Sequence, residues 1–221
     1  MNQAINVETW HKTYSEGKSL LVYPDESVVT VLNSLRGKIK NGIDIGCGAG
    51  RHALLMAEYG IDAYGIDSSA AGIEFAKAQA QARGLTNAQF DCCQVQDITS
   101  DKKYDLIICW GVLHYLSEDA QLALRNWIKA HLADNGVFIL TMRSIADSRY
   151  QPENKQTDNH YIVDYFKTET STKQTLMQFW DQAGVEAFLA DFKSIELGHR
   201  SIEPIGKLGL KTSHWLIKAQ H

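Results

Sequence analysis

The 221-residue sequence has few features that interrupt a fold or give it a strong charge. It has only three prolines, no run of 18 apolar residues and no long block of one charge sign, and its net charge is −4. A helix that crosses a bilayer needs such an apolar run, and strong attachment to a nucleic-acid backbone needs a clustered basic face. The sequence therefore predicts no membrane contact and no nucleic-acid partner.

The four cysteines, Cys47, Cys92, Cys93 and Cys109, do not form the CxxC spacing of a zinc or redox site. We therefore expect no metal, and free thiols fit a reducing compartment. The first residues also lack the basic segment and apolar run of a secretory signal. These absences favour a cytoplasmic protein.

Composition and length indicate one α/β domain with an added lobe. Hydrophobic residues make up 44% and charged residues 22% of the chain, as in soluble globular proteins. A length of 221 residues is about one and a half typical domains. We expect a monomer or a homodimer.

Strand-like and helix-like segments alternate over residues 38–143, which predicts a parallel sheet with helices on both faces. The predicted strands lie at residues 39–45, 63–67, 88–93, 104–110 and 137–142. The predicted helices lie at residues 51–59, at residues 69–83 and after a cap at Ser117.

Three segments lie outside this core, and residues 144–187 are predicted to form an insert on the substrate side. Residues 1–37 hold Trp10, Tyr14 and Tyr23 and are expected to form a helical flap. Residues 144–187 form an insert that begins with a long polar stretch, typical of a lid or binding loop. Within it, Ser171 and Gln174 suggest a capping box for a helix that ends at Gly184. Residues 188–221 are predicted to form two more strands, near 188–198 and 212–218.

A glycine-rich turn follows the first predicted strand. Bare backbone amides at the start of a helix provide a place for ligands at the carboxyl edge of a parallel sheet. Dinucleotide sites have glycines at positions 0, 2 and 5, but here Gly46 and Gly48 are followed at position 5 by Arg51. Because arginine obstructs close strand-to-helix packing, the turn favours a ligand with a ribose or carboxylate in place of a pyrophosphate.

Asp67 follows Gly46 by 21 residues and ends the second predicted strand. A carboxylate at that position can accept two hydrogen bonds from the 2′,3′-diol of a ribose. The alternative is that Asp67 merely caps the helix that begins near Ser69.

Three motifs within residues 38–143 resemble those of the class I S-adenosylmethionine-dependent methyltransferases. They are residues 42–50 (GIDIGCGAG), residues 64–67 (YGID), and residues 104–107 (YDLI) with 111–116 (GVLHYL). The resemblance implies a Rossmann-like sheet of seven strands, the last antiparallel, with S-adenosyl-L-methionine along its carboxyl edge. In the flanks, residues 10–17 (WHKTYSEG), 23–24 (YP) and 213–217 (SHWLI) resemble more loosely the small bacterial methyltransferases of tellurite resistance and surface polysaccharides.

The resemblance also implies a set of cofactor-binding residues. It places the glycine turn beside the cofactor, Asp44 near its methionine amino end and Asp67 on its ribose. Gln94 stands where the family often has an acid that receives the adenine amino group, and Asp97 is the alternative. The full predicted set is Asp44, Gly46, Cys47, Gly48, Gly50, Arg51, Asp67, Ser68, Gln94, Val95, Trp110 and Gly111.

The acceptor side is less defined, because a methyl transfer needs a general base only when the acceptor must lose a proton. Five residues are candidates for acceptor contact or catalysis: His114, Tyr14, Arg143, Arg149 and His199. His114 follows the fourth strand, and structural pairing is an equal alternative for it. The two arginines would suit an anionic acceptor, with ordinary salt bridges as the alternative. Aromatic residues such as Trp10, Tyr14, Tyr23 and Trp110 could shield a sulfonium or belong to the core.

The sequence therefore predicts methyl transfer to a small molecule, with a sugar, a carboxylate and a metalloid anion as candidate acceptors. Two other functions stay open. One is a regulatory protein that binds the cofactor without transfer. The other is a nicotinamide-dependent oxidoreductase, which Arg51 in place of the third glycine disfavours.

Overall fold

The computed structural model describes residues 2–17, 20–156, 159–167 and 172–220. Nine strands are assigned in these ranges: β1 Asn41–Ile45, β2 Asp62–Asp67, β3 Ala88–Cys92, β4 Tyr104–Cys109, β5 Leu132–Arg143, β6 His160–Lys167, β7 Thr172–Gln178, β8 Ser194–Ile202 and β9 Thr212–Gln220. Seven form the main sheet in the order β3-β2-β1-β4-β5-β9-β8. β9 runs antiparallel to both its neighbours and the other pairs are parallel, which confirms the predicted sheet.

The helices lie on both faces of the main sheet. They are α1 Asn2–Ser15, α2 Glu26–Leu35, α3 Arg51–Glu58, α4 Ala70–Ala82, α5 Glu118–His131 and α6 Gln182–Phe188. The predicted cap at Ser117 accepts a hydrogen bond from the Ala120 amide. Ser69, predicted as the start of its helix, is the N-cap of that helix and accepts one from the Gly72 amide. One apolar cluster packs α2, α3 and α4 on one face, and a second packs α5 and α6 on the other.

β4 lies in the middle of the sheet and is buried on both faces. The side chains of Leu106, Ile107, Ile108 and Cys109 have no exposed surface. This explains the near-continuous apolar run of β4, which is typical of a central parallel strand. The buried strands hold their carboxyl ends, and the loops that follow them, in fixed positions along one edge.

The helix predicted from Ser171 and Gln174 is wrong. Ser171 lies outside the described residues, and Gln174 belongs to β7, which pairs antiparallel with β6 in a separate two-stranded sheet. The helix in this region is α6, and its cap is Asp181, whose Oδ1 accepts a hydrogen bond of 2.8 Å from the Gly184 amide.

α1 is held against the insert by one buried asparagine. Asn6 Nδ2 donates to the carbonyl oxygens of Tyr115 at 2.8 Å and Leu176 at 3.2 Å, and Asn6 Oδ1 accepts from the Thr175 hydroxyl. A buried amide that uses both of its polar atoms in this way fixes one element against another. In the described residues we find no helix with the length and apolar character to cross a membrane.

Candidate cofactor and acceptor site

A crevice of about 250 Å³ opens at the carboxyl edge of β1, β2, β3 and β4, beneath α1. Ligands of open parallel sheets bind at this edge, outside the strand ends. Ten of the predicted site residues line the crevice: Tyr14, Gly46, Cys47, Arg51, Asp67, Ser68, Gln94, Val95, Trp110 and Gly111. The loops after four different strands therefore converge on one cavity, as the motifs predicted.

The glycine turn has a backbone that L side chains rarely adopt, and it is closely covered. Gly48 has φ +55°, and a Cβ added there would lie 2.2 Å from the Tyr14 hydroxyl. Gly50, the N-cap of α3, has φ +83°, and a Cβ there would lie 2.7 Å from that of Ala76. Glycine at these positions therefore supplies both the left-handed conformation and the room for α1 and α4 to approach.

Asp67 joins the glycine turn to the end of β2. Its Oδ2 accepts a hydrogen bond of 2.9 Å from the Gly48 amide, and its Oδ1 accepts one of 2.8 Å from the Ser69 amide. Burial raises the pKa of Asp67, although these two amide hydrogen bonds lower it. Because each carboxylate oxygen can accept more than one hydrogen bond, Asp67 retains capacity for the hydroxyls of a ligand. The N-cap of α4 is Ser69, so the alternative in which Asp67 caps that helix is wrong.

Asp44 is 1% exposed and carries a buried oxygen, Oδ2, that has no hydrogen-bond partner among the described residues. Burial and the charge of Asp67 raise its pKa to about 7, against the lowering effects of Arg51 and of a hydrogen bond from the Ala53 backbone. The nearest cationic candidate, His52 Nδ1, is 3.8 Å from Oδ2, and burial lowers the pKa of His52 to about 3. An unpaired buried acid beside the crevice fits a ligand that brings a hydrogen-bond donor or an ammonium group.

Arg51 lies at the start of α3 and also contacts the preceding segment. Its Nη1 donates to the Tyr23 carbonyl oxygen at 3.2 Å, which ties α3 to the segment between α1 and α2. The Tyr23 side chain itself is 83% exposed and lies outside the crevice lining. Among the four predicted aromatic shields, Trp10, Tyr14 and Trp110 line the crevice.

The loop after β3 forms the far end of the crevice. Gln94 and Val95 line it, while Asp97 lies in the following 3-10 turn, Val95–Asp97, outside the lining. The Gln94 side-chain carbonyl accepts a hydrogen bond of 2.7 Å from Gln96 Nε2. Between the two residues considered for the adenine contact, the geometry therefore favours Gln94.

The other acceptor-side candidates lie behind the crevice wall. His114 is 1% exposed and its ring centroid is 4.3 Å from that of Tyr115, which does line the crevice. Both ring nitrogens of His114 have no hydrogen-bond partner among the described residues. Burial holds the pKa of His114 well below its usual value, and Arg143 and His214 add to that effect, so the imidazole is neutral.

Arg143 and Arg149 share one carboxylate. Asp147 accepts hydrogen bonds from Arg143 Nη1 at 3.0 Å and from Arg149 Nε and Nη2 at 2.8 and 2.9 Å. His199 Nε2 lies 2.9 Å from the Ser144 hydroxyl, and its ring meets Trp215 edge-on. These contacts place Arg143, Arg149 and His199 in a polar cluster outside the crevice lining.

Several lining residues were not predicted from the sequence. They are Asn6, Leu21, Ala49, His52, Ile66, Cys93, Val112, Tyr115 and Leu116. His52 directly follows Arg51, and Tyr115 belongs to the quoted fourth-strand motif, so their positions carried a usable signal. Asn6 and Leu21 reach the crevice only because α1 and the segment after it fold back over the sheet.

Comparison with known proteins supports the same family. Residues 38–184 match the methyltransferase domain family. A ubiquinone biosynthesis O-methyltransferase of Rickettsia conorii is 32% identical over 99 residues, 45% of this chain and 33% of that protein. A 2-heptyl-1-hydroxyquinolin-4(1H)-one methyltransferase of Mycobacteroides abscessus is 37% identical over 81 residues, 36% of each chain. The chain spans only about a third of the length of these two relatives.

A solved structure has the same fold over nearly the whole chain. It is the 1,6-didemethyltoxoflavin-N1-methyltransferase of Burkholderia thailandensis, determined with S-adenosylhomocysteine and 1,6-didemethyltoxoflavin. Its TM-score is 0.69 at 17% identity, covering 98% of this chain and 87% of that one.

The family match covers about two thirds of the chain, including every strand from which the crevice is built. The buried Oδ2 of Asp44 has no hydrogen-bond partner among the described residues and fits an ammonium group, and the carboxylate of Asp67 fits a ribose. The side-chain-free backbone of the glycine turn fits the methionine part of the cofactor. The chain belongs to the class I S-adenosylmethionine-dependent methyltransferases, and its cofactor is S-adenosyl-L-methionine.

Proposed function

We propose that this chain transfers a methyl group from S-adenosyl-L-methionine to a small-molecule acceptor. The observation that carries the proposal is the crevice at one sheet edge, which Gly46, Cys47 and Asp67 line, with the buried Asp44 Oδ2 of β1 outside the lining. The acceptor reaches this crevice beside α1.

The residues of the chain mainly bind and align the reactants. When bound, the cofactor would supply a methyl group activated by a positively charged sulfur, for transfer to a lone pair of the acceptor. Asp44 and Asp67 would hold the ammonium and ribose groups. Trp10 and Tyr14, on α1, cover the crevice and exclude water, so that alignment in a dry site lowers the barrier.

The polar cluster that contains Arg143 and Arg149 helps to decide between the candidate classes of acceptor. An anionic acceptor, such as a carboxylate or a metalloid anion, was expected to bind Arg143 and Arg149. Both guanidinium groups are paired with Asp147, which reduces the support for an anion held there. Two of the compared proteins are named for a hydroxyquinolinone and for didemethyltoxoflavin, which favours an organic acceptor over a metalloid anion.

Calorimetry with S-adenosylmethionine, S-adenosylhomocysteine and NAD, followed by an acceptor screen for S-adenosylhomocysteine release, tests the proposal. We expect both sulfur ligands to bind and NAD to bind weakly or not at all, with release that depends on an added acceptor. Preferential binding of NAD would contradict the proposal and favour the oxidoreductase. Binding without release across a broad acceptor panel would favour the non-catalytic alternative.

A further inference from the structure

Two aromatic side chains form a corner in the wall of the crevice. Trp10 of α1 and Tyr115 of the 3-10 turn after β4 have ring centroids 5.4 Å apart and planes inclined by 72°. Both rings line the crevice. We call this pair the aromatic corner.

The aromatic corner lies at the end of the crevice where the acceptor must enter. Along the sheet order, the loops after β3, β2, β1 and β4 supply Gln94, Asp67, Gly46 and Gly111 in turn. A ligand with its ribose on Asp67 and its amino-acid end near the glycine turn therefore points its reactive centre toward the loop after β4. Tyr115 belongs to that loop, at the end away from Gln94.

The aromatic corner is held rigidly from behind by the insert. Tyr115 belongs to an apolar cluster with Tyr161 of β6 and Met177 of β7, and Trp10 packs against the same cluster. The Asn6 side chain also donates to the Tyr115 carbonyl oxygen. Rings that are fixed before a ligand arrives lose little entropy when it binds.

We infer that the aromatic corner binds the flat ring of an aromatic or heteroaromatic acceptor. A planar ring can stack on the face of one side chain while its edge meets the face of the other, the two arrangements that aromatic pairs prefer. A saturated sugar ring or a small inorganic anion has no such face to offer. This inference rests on the proposed function and names the acceptor class for the same site.

Matched probes separate a flat acceptor from a saturated one. Catechol and trans-cyclohexane-1,2-diol carry the same two vicinal hydroxyls, and only catechol is planar. With S-adenosylhomocysteine present, we expect catechol to bind the wild-type protein at least about fivefold more tightly than the diol. Equal binding of the two probes would contradict the inference alone. Failure of S-adenosylhomocysteine to bind at all would contradict the proposed function and, with it, this inference.

Substitutions in the aromatic corner test whether these two rings cause the preference for catechol. Trp10→Leu and Tyr115→Leu should each weaken catechol binding about fivefold or more, and by a larger factor than they weaken the binding of S-adenosylhomocysteine. Tyr150→Leu is the matched control, because Tyr150 packs on the same cluster from outside the crevice lining; it should change neither affinity. If Trp10→Leu and Tyr115→Leu instead weaken the binding of S-adenosylmethionine and leave the binding of catechol unchanged, the aromatic corner shields the sulfonium and the inference is wrong.

Discussion

Arg200 of β8 and Asp25, the N-cap of α2, form a two-hydrogen-bond ion pair, with Nη1 3.1 Å from Oδ1 and Nη2 2.7 Å from Oδ2. The pair joins the C-terminal hairpin to the segment between α1 and α2, 175 residues away in sequence. Trp110, which lines the crevice, also hydrogen-bonds Asp25. The ion pair therefore fixes the segment that follows α1 beside the cofactor site.

Arg200→Met should destabilise the protein, and the effect should depend on pH. Burial raises the pKa of Asp25, but the hydrogen bonds and charge of Arg200 and the Ser27 amide outweigh it and lower the pKa to about 2. A lowered pKa stabilises the folded state above the unfolded value of about 3.9. We expect a wild-type advantage of about 1–2 kcal/mol at neutral pH.

That advantage should shrink as the pH falls from about 4 to about 2, because Asp25 then becomes protonated in the wild-type protein too. Urea unfolding of both proteins across this range measures it. Lys218→Met, which removes an exposed ion pair with Glu196, is the control and should cost little. A constant difference between wild type and Arg200→Met at all pH values would contradict this account.

Gly48→Ala should weaken S-adenosylhomocysteine binding because the new Cβ meets the Tyr14 hydroxyl at 2.2 Å. Adding Tyr14→Phe removes that oxygen and leaves the Tyr14 Cζ position, 3.0 Å from the Cβ, as the closest approach. The double variant should therefore regain part of the lost affinity, although the left-handed backbone still costs about 1–2 kcal/mol. Calorimetry on the two single variants and the double variant gives the coupling. If the losses of binding free energy in the two single variants simply add in the double variant, Tyr14 does not cover the glycine turn.

Asp44→Asn should stabilise the ligand-free protein while weakening its cofactor affinity. A carboxyl whose folded pKa is raised from 3.8 to about 7 contributes stability at low pH that is lost as the pH rises through 7. The gain in melting temperature from Asp44→Asn should therefore be larger at pH 8 than at pH 5. The same variant should bind S-adenosylhomocysteine at least about tenfold more weakly.

Asp105→Asn provides the control for Asp44→Asn. Asp105 lies at the opposite end of the strands, where its side chain accepts a hydrogen bond from the Lys40 amide. It should not change the affinity for S-adenosylhomocysteine. Unchanged ligand affinity in Asp44→Asn would remove Asp44 from the cofactor site, whatever its effect on stability.

His114→Leu should be at least as stable as the wild-type protein, whereas His114→Ala should be less stable. Leucine keeps most of the side-chain volume and removes two buried nitrogens that have no partner among the described residues, and such groups cost about 1–3 kcal/mol each. Thermal unfolding compares the three proteins. If His114→Leu loses as much thermal stability as His114→Ala does, the imidazole makes stabilising hydrogen bonds.

Turnover of the same variants, with an acceptor found in the screen, distinguishes positioning from proton transfer at His114. We expect His114→Ala to raise the KM for the acceptor because Tyr115 loses its support, and His114→Leu to restore it. A fall in kcat that His114→Leu does not rescue would support the catalytic role for which the sequence made His114 a candidate.

The sheet was predictable because its signals are local. β4 is a near-continuous apolar run, and Gly46, Gly48 and Asp67 follow strands at the spacing of the family motif. Ser69 and Ser117 are caps that act on amides three residues away. In each case the residues that specify the structure are neighbours in sequence.

Part of β7 was mispredicted as a helix because the strand has no alternation of buried and exposed side chains. The side chains from Thr175 to Trp180 are all buried, so the segment has no alternation to distinguish a strand from a helix. Its strand character depends on pairing with β6. The contact of Tyr14 with Gly48, and of Asn6 with Leu176, likewise depends on how α1 folds over the sheet, which no local pattern reports.

The affinity of Asp67→Ala for S-adenosylhomocysteine, measured by calorimetry beside Asp62→Ala, tests the cofactor site most directly. Asp62 lies exposed at the start of the same strand and serves as the matched control. We expect Asp67→Ala to bind at least about tenfold more weakly, a loss of about 1.4 kcal/mol, and Asp62→Ala to bind like the wild-type protein. Equal dissociation constants for Asp67→Ala and the wild-type protein would contradict the assignment of this crevice as the cofactor site.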